Sequence, residues 1–223
     1  MKKLSGLTKE QVREISGRIA DAFYDYPYSE DDLGLKKYIR TRQDMHIYIE
    51  AIVQASYNSG LLYATSEKEE GCLILSGDGV GNIGFVDGMK MILAEKKVLG
   101  GLGKMTAFIR ACFADGNTIE TRMRKAKRKF IRIEVLAVRP EYQKQGFMRQ
   151  MMEYVYALAD ERGVPVILDT DDKDKSLRYQ HLGMTLDRVR NCGEKFHMYD
   201  LIREPRLRGK SLPGSKPKKG GGA

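Results

Sequence analysis

Residues 131–162, IRIEVLAVRPEYQKQGFMRQMMEYVYALADER, constrain the fold of this chain more than any other stretch, because they read as a buried strand, a turn and an amphipathic helix in immediate succession. Ile131, Ile133, Val135 and Val138, with Leu136 and Ala137, make a short apolar run rich in β-branched residues, and Pro140, which has no N–H to give a ladder, stops it. After Gly146, apolar residues recur at Phe147, Met151, Val155 and Leu158, the spacing of a helix with one face on a sheet, and Gly163 and Pro165 end it. A strand that feeds a helix leaves the first N–H groups of the helix unpaired, and the helix dipole adds partial positive charge there. Gly146 lets the backbone approach a ligand, and Lys144 and Arg149 can add charge, so the turn suits an anion such as the pyrophosphate of a cofactor. An ordinary strand-to-helix turn accounts for the same spacing, and the three-glycine dinucleotide pattern is absent.

The rest of the chain arranges itself around this unit. Thr8 and Gln11 form a capping-box signature, and Val12, Ile15, Ile19 and Phe23 mark a first helix ending near Tyr26 and Pro27, with residues 2–5 as a short edge strand before it. Residues 35–58 read as one second helix, with Tyr38, Ile39, Met45, Ile49, Ile52 and Val53 on its buried side. Residues 61–66 and 71–76 flank a charged turn and predict an antiparallel hairpin. The glycine-rich stretch 77–81 reads as a loop and not a P-loop, since no Gly-Lys-Ser/Thr follows. Helical patterns cover 87–98 and 104–127, split by the glycines of 100–103 and interrupted near Gly116. From Val164 come a strand (164–170), a helix (173–181) and two further strands (184–190 and 195–202). The order predicts an α/β fold, a mixed and mostly antiparallel central sheet of six to seven strands with helices on both faces.

The length favours one domain over residues 1–202, carrying a helical insertion at about 84–128, followed by a basic tail, 203–223. Of the net charge of +9, the tail holds seven Lys or Arg against Glu204, and its Pro, Gly and Ser content predicts disorder. The basic run 122–132 reads as a solvated helix end, because Phe130 alone is available for base stacking, so no nucleic-acid partner is expected. No run of eighteen apolar residues occurs, which predicts a cytoplasmic protein without a membrane partner. Cys72, Cys112 and Cys192, like the three histidines, are too scattered for a metal site, and no metal is expected. Residues 21–32 hold Asp21, Asp25, Glu30, Asp31 and Asp32 with Tyr24, Tyr26 and Tyr28 and no Lys or Arg. That pattern fits either a solvated helix end or a site for a cationic amine.

The run LAVRPEYQKQGFMRQMM resembles the acyl-CoA-binding motif of the GNAT N-acetyltransferase superfamily, Gln or Arg, two residues, Gly, one residue, then Gly or Ala, with Gln143 and Gly146 in register. VPVILDTDDKDKSLRYQHLGM resembles the family's fifth strand and following helix, where a tyrosine three residues before a Leu-Gly pair lies near the cofactor sulfur; here these are Tyr179, Leu182 and Gly183. Met148 stands where the family has a small residue, Lys175 where many relatives have Asn, and Met184 where Phe is usual. A side chain as large as Met148 at the helix start can narrow the pyrophosphate approach, although its backbone N–H remains available. The insertion is similar to that of the puromycin N-acetyltransferase-like small-molecule group, in which it helps to wall the acceptor pocket.

This resemblance implies an acyltransferase of the GNAT fold with acetyl-CoA as co-substrate. Leu136, Ala137 and Val138 would pair with the pantetheine arm, and the Val138 N–H would polarise the thioester carbonyl. Gln143, Lys144, Gln145, Gly146, Phe147, Met148 and Arg149 would hold the pyrophosphate, with Lys175 also at the cofactor. Tyr179 would be the general acid, its phenol protonated at neutral pH. Glu134, a carboxylate inside an apolar strand beside these positions, is the candidate base, although a bulged or edge strand can also turn a Glu outward. The expected reaction is acetyl transfer to a primary amine of a small molecule by direct attack. The alternatives are a protein or peptide N-acetyltransferase and a non-catalytic acyl-CoA- or nucleic-acid-binding module. Acceptor identity, acyl length and the choice between monomer and homodimer are not encoded legibly.

Overall fold

A computed structural model describes residues 1–29 and 33–206. The chain runs β1 (Lys2–Lys3), α1 (Lys9–Tyr24), α2 (Arg42–Asn58), β2 (Leu62–Ala64), β3 (Gly71–Gly77), α3 (Phe85–Val98), α4 (Leu102–Phe113), α5 (Ile119–Lys125), β4 (Ile131–Val138), α6 (Phe147–Arg162), β5 (Val166–Thr170), α7 (Lys173–His181), β6 (Thr185–Asn191) and β7 (His197–Arg203). The strands form one sheet in the order β1-β2-β3-β4-β5-β7-β6. The β4–β5 pair is parallel and the other five pairs are antiparallel.

Helices cover both faces. Val12, Ile15 and Ile19 of α1 and Met45, Ile49 and Val53 of α2 pack on Leu62, Ala64 and Ile74. Met151, Met152, Val155 and Ala159 of α6 pack on Leu73, Leu75, Val166 and Leu168. The start of α1 and the end of α6 are set by local chemistry: the Thr8 hydroxyl accepts from the Gln11 N–H while the Gln11 side chain accepts from the Thr8 N–H, and Gly163 closes α6 in a left-handed conformation at φ 65°.

The single second helix expected over 35–58 is divided. Residues Gly34–Lys37 form one 3-10 turn, the chain breaks, and α2 starts afresh at Thr41, whose hydroxyl accepts from the Asp44 N–H at 3.0 Å. An N-cap satisfies an otherwise orphaned donor, and that local bond outweighs the continuous apolar pattern.

Two irregularities position everything that follows. The β3–β4 register shifts, with Ile74 opposite Val135 and Leu75 opposite Ile133, so Glu134 is an extra residue with no partner across the ladder. One extra residue inverts the facing of the strand: Ile131 and Ile133 enter the core under α6, whereas Val135 and Ala137 enter the core under α1 and α2. The second irregularity is a fork. β4 and β5 pair only at Ile131–Val166 and Arg132–Ile167, and beyond these rungs the strands part.

Candidate active site

A cavity of about 790 Å³ occupies the fork, a size suited to one ligand of cofactor dimensions with an acceptor beside it. Its walls include every residue from Arg132 to Val138 of β4, Leu168 to Asp171 around the end of β5, Lys175 and Tyr179 of α7, and the turn before α6. Because β5 has turned away, the backbone groups on that edge of β4 past Arg132 face the cavity without a strand to pair with, a geometry that accepts an extended polar chain. Leu136, Ala137 and Val138 lie on this edge.

At one end stands the turn into α6. The Gln143 side chain donates to the Val138 carbonyl at 3.4 Å, Lys144 and Gly146 adopt left-handed conformations (φ 61° and 87°), and the first backbone bond of the helix runs from the Gln150 N–H to the Gly146 carbonyl. The N–H groups of Phe147, Met148 and Arg149 therefore have no backbone partner among the described residues, and they present donors at the positive end of the helix dipole. The positive φ explains the glycine at 146, and a Cβ there would meet nothing within 4 Å, so space as well as conformation is free. Met148 is half-buried against the core beneath α6 and is also part of the cavity wall. Of the seven residues assigned to this turn from sequence, Gln143, Lys144, Gly146, Phe147 and Met148 line the cavity. Gln145 instead donates to the Glu141 carbonyl at 2.8 Å, and Arg149 is exposed on the helix surface.

Tyr179, on the inner side of α7, is buried, and its hydroxyl has no hydrogen-bond partner among the described residues. Burial pushes its pKa well up, with the Asp171 carboxylate adding to the rise, so it stays a proton donor throughout the neutral range. Glu134, set in the cavity wall by the bulge, accepts from the Ser76 hydroxyl and faces the Arg132 Nε at 3.3 Å. Burial raises the Glu134 pKa, and Arg132 and Ser76 offset part of that rise. The bulge thus accounts for a carboxylate in the middle of an apolar strand without turning it to bulk water.

The acidic, tyrosine-rich segment divides its work differently from the sequence expectation. Asp21 and Asp25 pair with Arg42, and His46 Nε2 lies 2.9 Å from Asp21, so these carboxylates are occupied on the surface and do not line the cavity. Glu30, Asp31 and Asp32 lie outside the described residues. The tyrosines do face inward: the Tyr26 hydroxyl donates to Asp172 at 2.7 Å and the Tyr28 hydroxyl to Asp171 at 2.6 Å. Lys175, assigned to the cofactor from sequence, is held between them, donating to Asp171 at 3.0 Å and to the Tyr28 hydroxyl at 2.9 Å with its ammonium 4.0 Å from the Tyr26 ring. Burial favours a neutral Asp171, but Lys175, Tyr28 and the Leu35 N–H outweigh it and keep its pKa low.

The opposite end of the cavity holds a charge cluster that sequence reading missed. Arg132 donates to Asp169 across the fork at 2.8 Å and also pairs with Glu120. Arg190, almost fully buried, donates from Nε to both oxygens of Asp200 (3.0 and 3.2 Å), from Nη1 to the Cys112 carbonyl at 2.6 Å, and reaches Asp169 at 3.5 Å. Arg122 joins Asp200 to Asp187. Phe108 of α4 closes this end, stacked edge-on against Tyr38 (4.7 Å) and packed near Phe196. The available signal was a charge within each of four strand patterns, Arg132, Asp169, Arg190 and Asp200, with complementary signs, of which Asp169 alone has no second charge in its strand.

Residues 82–184 match the Acetyltransferase (GNAT) family. The fold superposes on a polyamine N-acetyltransferase of Drosophila melanogaster that catalyses formation of N-acetylagmatine (TM-score 0.54, 12% identity, 89% of this chain and 97% of that one). It also superposes on arylalkylamine N-acetyltransferase 2 from Aedes aegypti (TM-score 0.50, 12% identity, 91% and 98%). A third likeness is to a Corynebacterium glutamicum protein described as a histone acetyltransferase and related acetyltransferase (TM-score 0.55, 10% identity, 90% and 94%). At such identities the likeness is one of fold. No curated protein matches the chain in sequence.

Proposed function

Since the chain belongs to the GNAT acetyltransferases, an acyltransferase family that uses acetyl-CoA as co-substrate, we propose that it acetylates a primary amine on a small cationic molecule by direct attack. The observation that carries this reading is one cavity running from the donor-rich turn of α6, along the unpaired edge of β4, to the charge cluster beside Phe108. Unpaired N–H groups suit the pyrophosphate, and the free strand edge suits the amide-bearing pantetheine arm. Of that cluster Glu134 and Asp169 line the cavity beside Arg132 and Arg190, so two carboxylates stand where an ammonium-bearing acceptor could reach them.

In this scheme the amine nitrogen attacks the thioester carbon, the C–S bond breaks, and the acetyl group stays on nitrogen. The Val138 N–H polarises the carbonyl. Glu134 accepts the proton that the ammonium must shed, and the Tyr179 hydroxyl gives one to the departing sulfur. No enzyme-bound acyl group is required. A thiol-release assay with acetyl-CoA against a panel of diamines, guanidino-amines, arylalkylamines and peptides tests the proposal. Turnover is expected with cationic small amines, and turnover restricted to peptides, or thiol release with none of the panel, would overturn it.

A second expectation concerns pH. A base works only when ionised, and the Glu134 pKa is raised, so kcat/KM should fall on acidification at a pH above the ordinary carboxylate range. Glu134→Gln should lower kcat by roughly 10²-fold and remove that acidic limb. A limb that persists in the variant would assign the proton to another group.

A further inference from the structure

Ten large apolar side chains are exposed among the described residues, and eight of them lie on α3 and α4. Exposed apolar residues on a globular surface are ordinarily scattered singly, so a concentration on two consecutive helices marks a surface with a partner. On α3, Phe85, Met89, Ile92 and Leu93 follow the i, i+4, i+7, i+8 spacing of one helical face, and Phe85 is 84% exposed. On α4, Ile109 and Phe113, four residues apart on one helical face, are exposed as well. The inner sides of both helices are already used. Val98 is buried in the core, Asp87 accepts from the Asn58 side chain at 3.1 Å, and Phe108 closes the cavity. The outward stripe is therefore additional to what the fold needs.

The charges around the stripe decide what it meets. Lys96, Lys97, Lys104 and Arg110 are exposed and have no carboxylate partner among the described residues. The two acids of these helices are withdrawn, Asp87 pairing with Lys90 and Asn58, and Glu95 half-buried. A second copy meeting this face about a two-fold axis would set the same cations against one another. An anionic bilayer supplies both complements, apolar depth for the stripe and phosphate headgroups for long side chains that bury their stems and keep their charges at the interface. We propose that the α3–α4 hairpin docks the protein on anionic lipid membranes, lying in the interface plane. No helix among the described residues is long and apolar enough to cross a membrane, and none needs to. The absence of a membrane partner expected from sequence followed from a search for spans, which an in-plane helix pair escapes.

Flotation of the full chain with vesicles of phosphatidylcholine alone, and of phosphatidylcholine mixed with phosphatidylglycerol, tests this without any reference to catalysis. Binding to the mixed vesicles should be at least about tenfold tighter than to phosphatidylcholine and should weaken with salt. The double variant Phe85→Ser/Leu93→Ser, altered only at exposed positions and checked for an unchanged melting curve, should bind at least about tenfold more weakly. Lys96→Glu/Lys97→Glu should lose the preference for the anionic lipid. Three results overturn the proposal: no association of the parent protein with either vesicle, association unchanged in Phe85→Ser/Leu93→Ser, which would assign it to the basic tail, or self-association of the parent in light scattering that the same variant abolishes, which would assign the face to a second copy.

Discussion

Replacing Tyr179 by Phe is expected to lower turnover by about 10²-fold or more while leaving acetyl-CoA affinity close to that of the parent. The ring fills a buried position under α7 and stays, and only the hydroxyl, which bonds to nothing else among the described residues, is removed. Stability should therefore change little, because no buried partner is stranded. The loss should fall on kcat and kcat/KM together, since a proton delivered to the leaving sulfur is an interaction made in the transition state. Single-turnover kinetics beside calorimetric titration with acetyl-CoA separate the two quantities. Turnover equal to that of the parent would return Tyr179 to a packing role and assign the proton to water or another group.

The largest effect on stability is expected at Asp200. It is fully buried between Arg190 and Arg122, and burial pushes its pKa up even though both guanidiniums pull the other way. Asp200→Ala removes the carboxylate and leaves Arg190, itself 1% exposed, with Asp169 at 3.5 Å as its remaining carboxylate. Breaking one side of a buried pair costs about 3–5 kcal/mol, because the surviving charge has lost its compensation. Urea unfolding should show that drop. The double variant Arg190→Met/Asp200→Leu, which removes the buried pair and leaves Arg122 with Asp187 and Asp169 with Arg132, should recover part of it, since an apolar pair of similar volume is often as stable as the ion pair it replaces. A loss below about 1 kcal/mol in Asp200→Ala would mean that water reaches the cluster and screens it.

The order of strands and helices was legible because it is written in short-range chemistry. The run from Ile131 to Val138 carries its own β-branched pattern, α6 carries its own periodicity and glycine stop, and Thr8 with Gln11 writes the start of α1. Where a local signal was passed over, at Thr41, the second helix came out too long, although the Thr41 to Asp44 spacing was there to be read. The features that make the site were less legible, since they depend on partners distant in sequence. The bulge at Glu134 exists only relative to β3, so the alternation of Ile131, Ile133, Val135 and Ala137 looks unbroken while the strand changes faces. The cluster of Arg132, Asp169, Arg190 and Asp200 brings together charges from four strands, each of which reads alone as a solvated residue. Asp21 and Asp25 show the opposite case: the charge pattern of their segment suggested a pocket, but Arg42 on a neighbouring helix takes both of them.

The fork between β4 and β5 also bears on how stiff the molecule is. Strands β1 to β4 form one continuous ladder and β5, β7 and β6 another, and two rungs at Ile131 and Arg132, reinforced by the Arg132–Asp169 ion pair, are the backbone link between them. A sheet resists shear through its rungs, so the two ladders can splay about that short seam more readily than either can bend. An extended ligand bonded along the open edge of β4 would take the place of the missing rungs and wedge the splayed strands at a fixed opening. The rigidity of the sheet would then be a joint property of protein and occupant, and the alignment of cavity-lining groups on opposite ladders, Glu134 on one and Tyr179 beside the other, would be completed by the ligand between them.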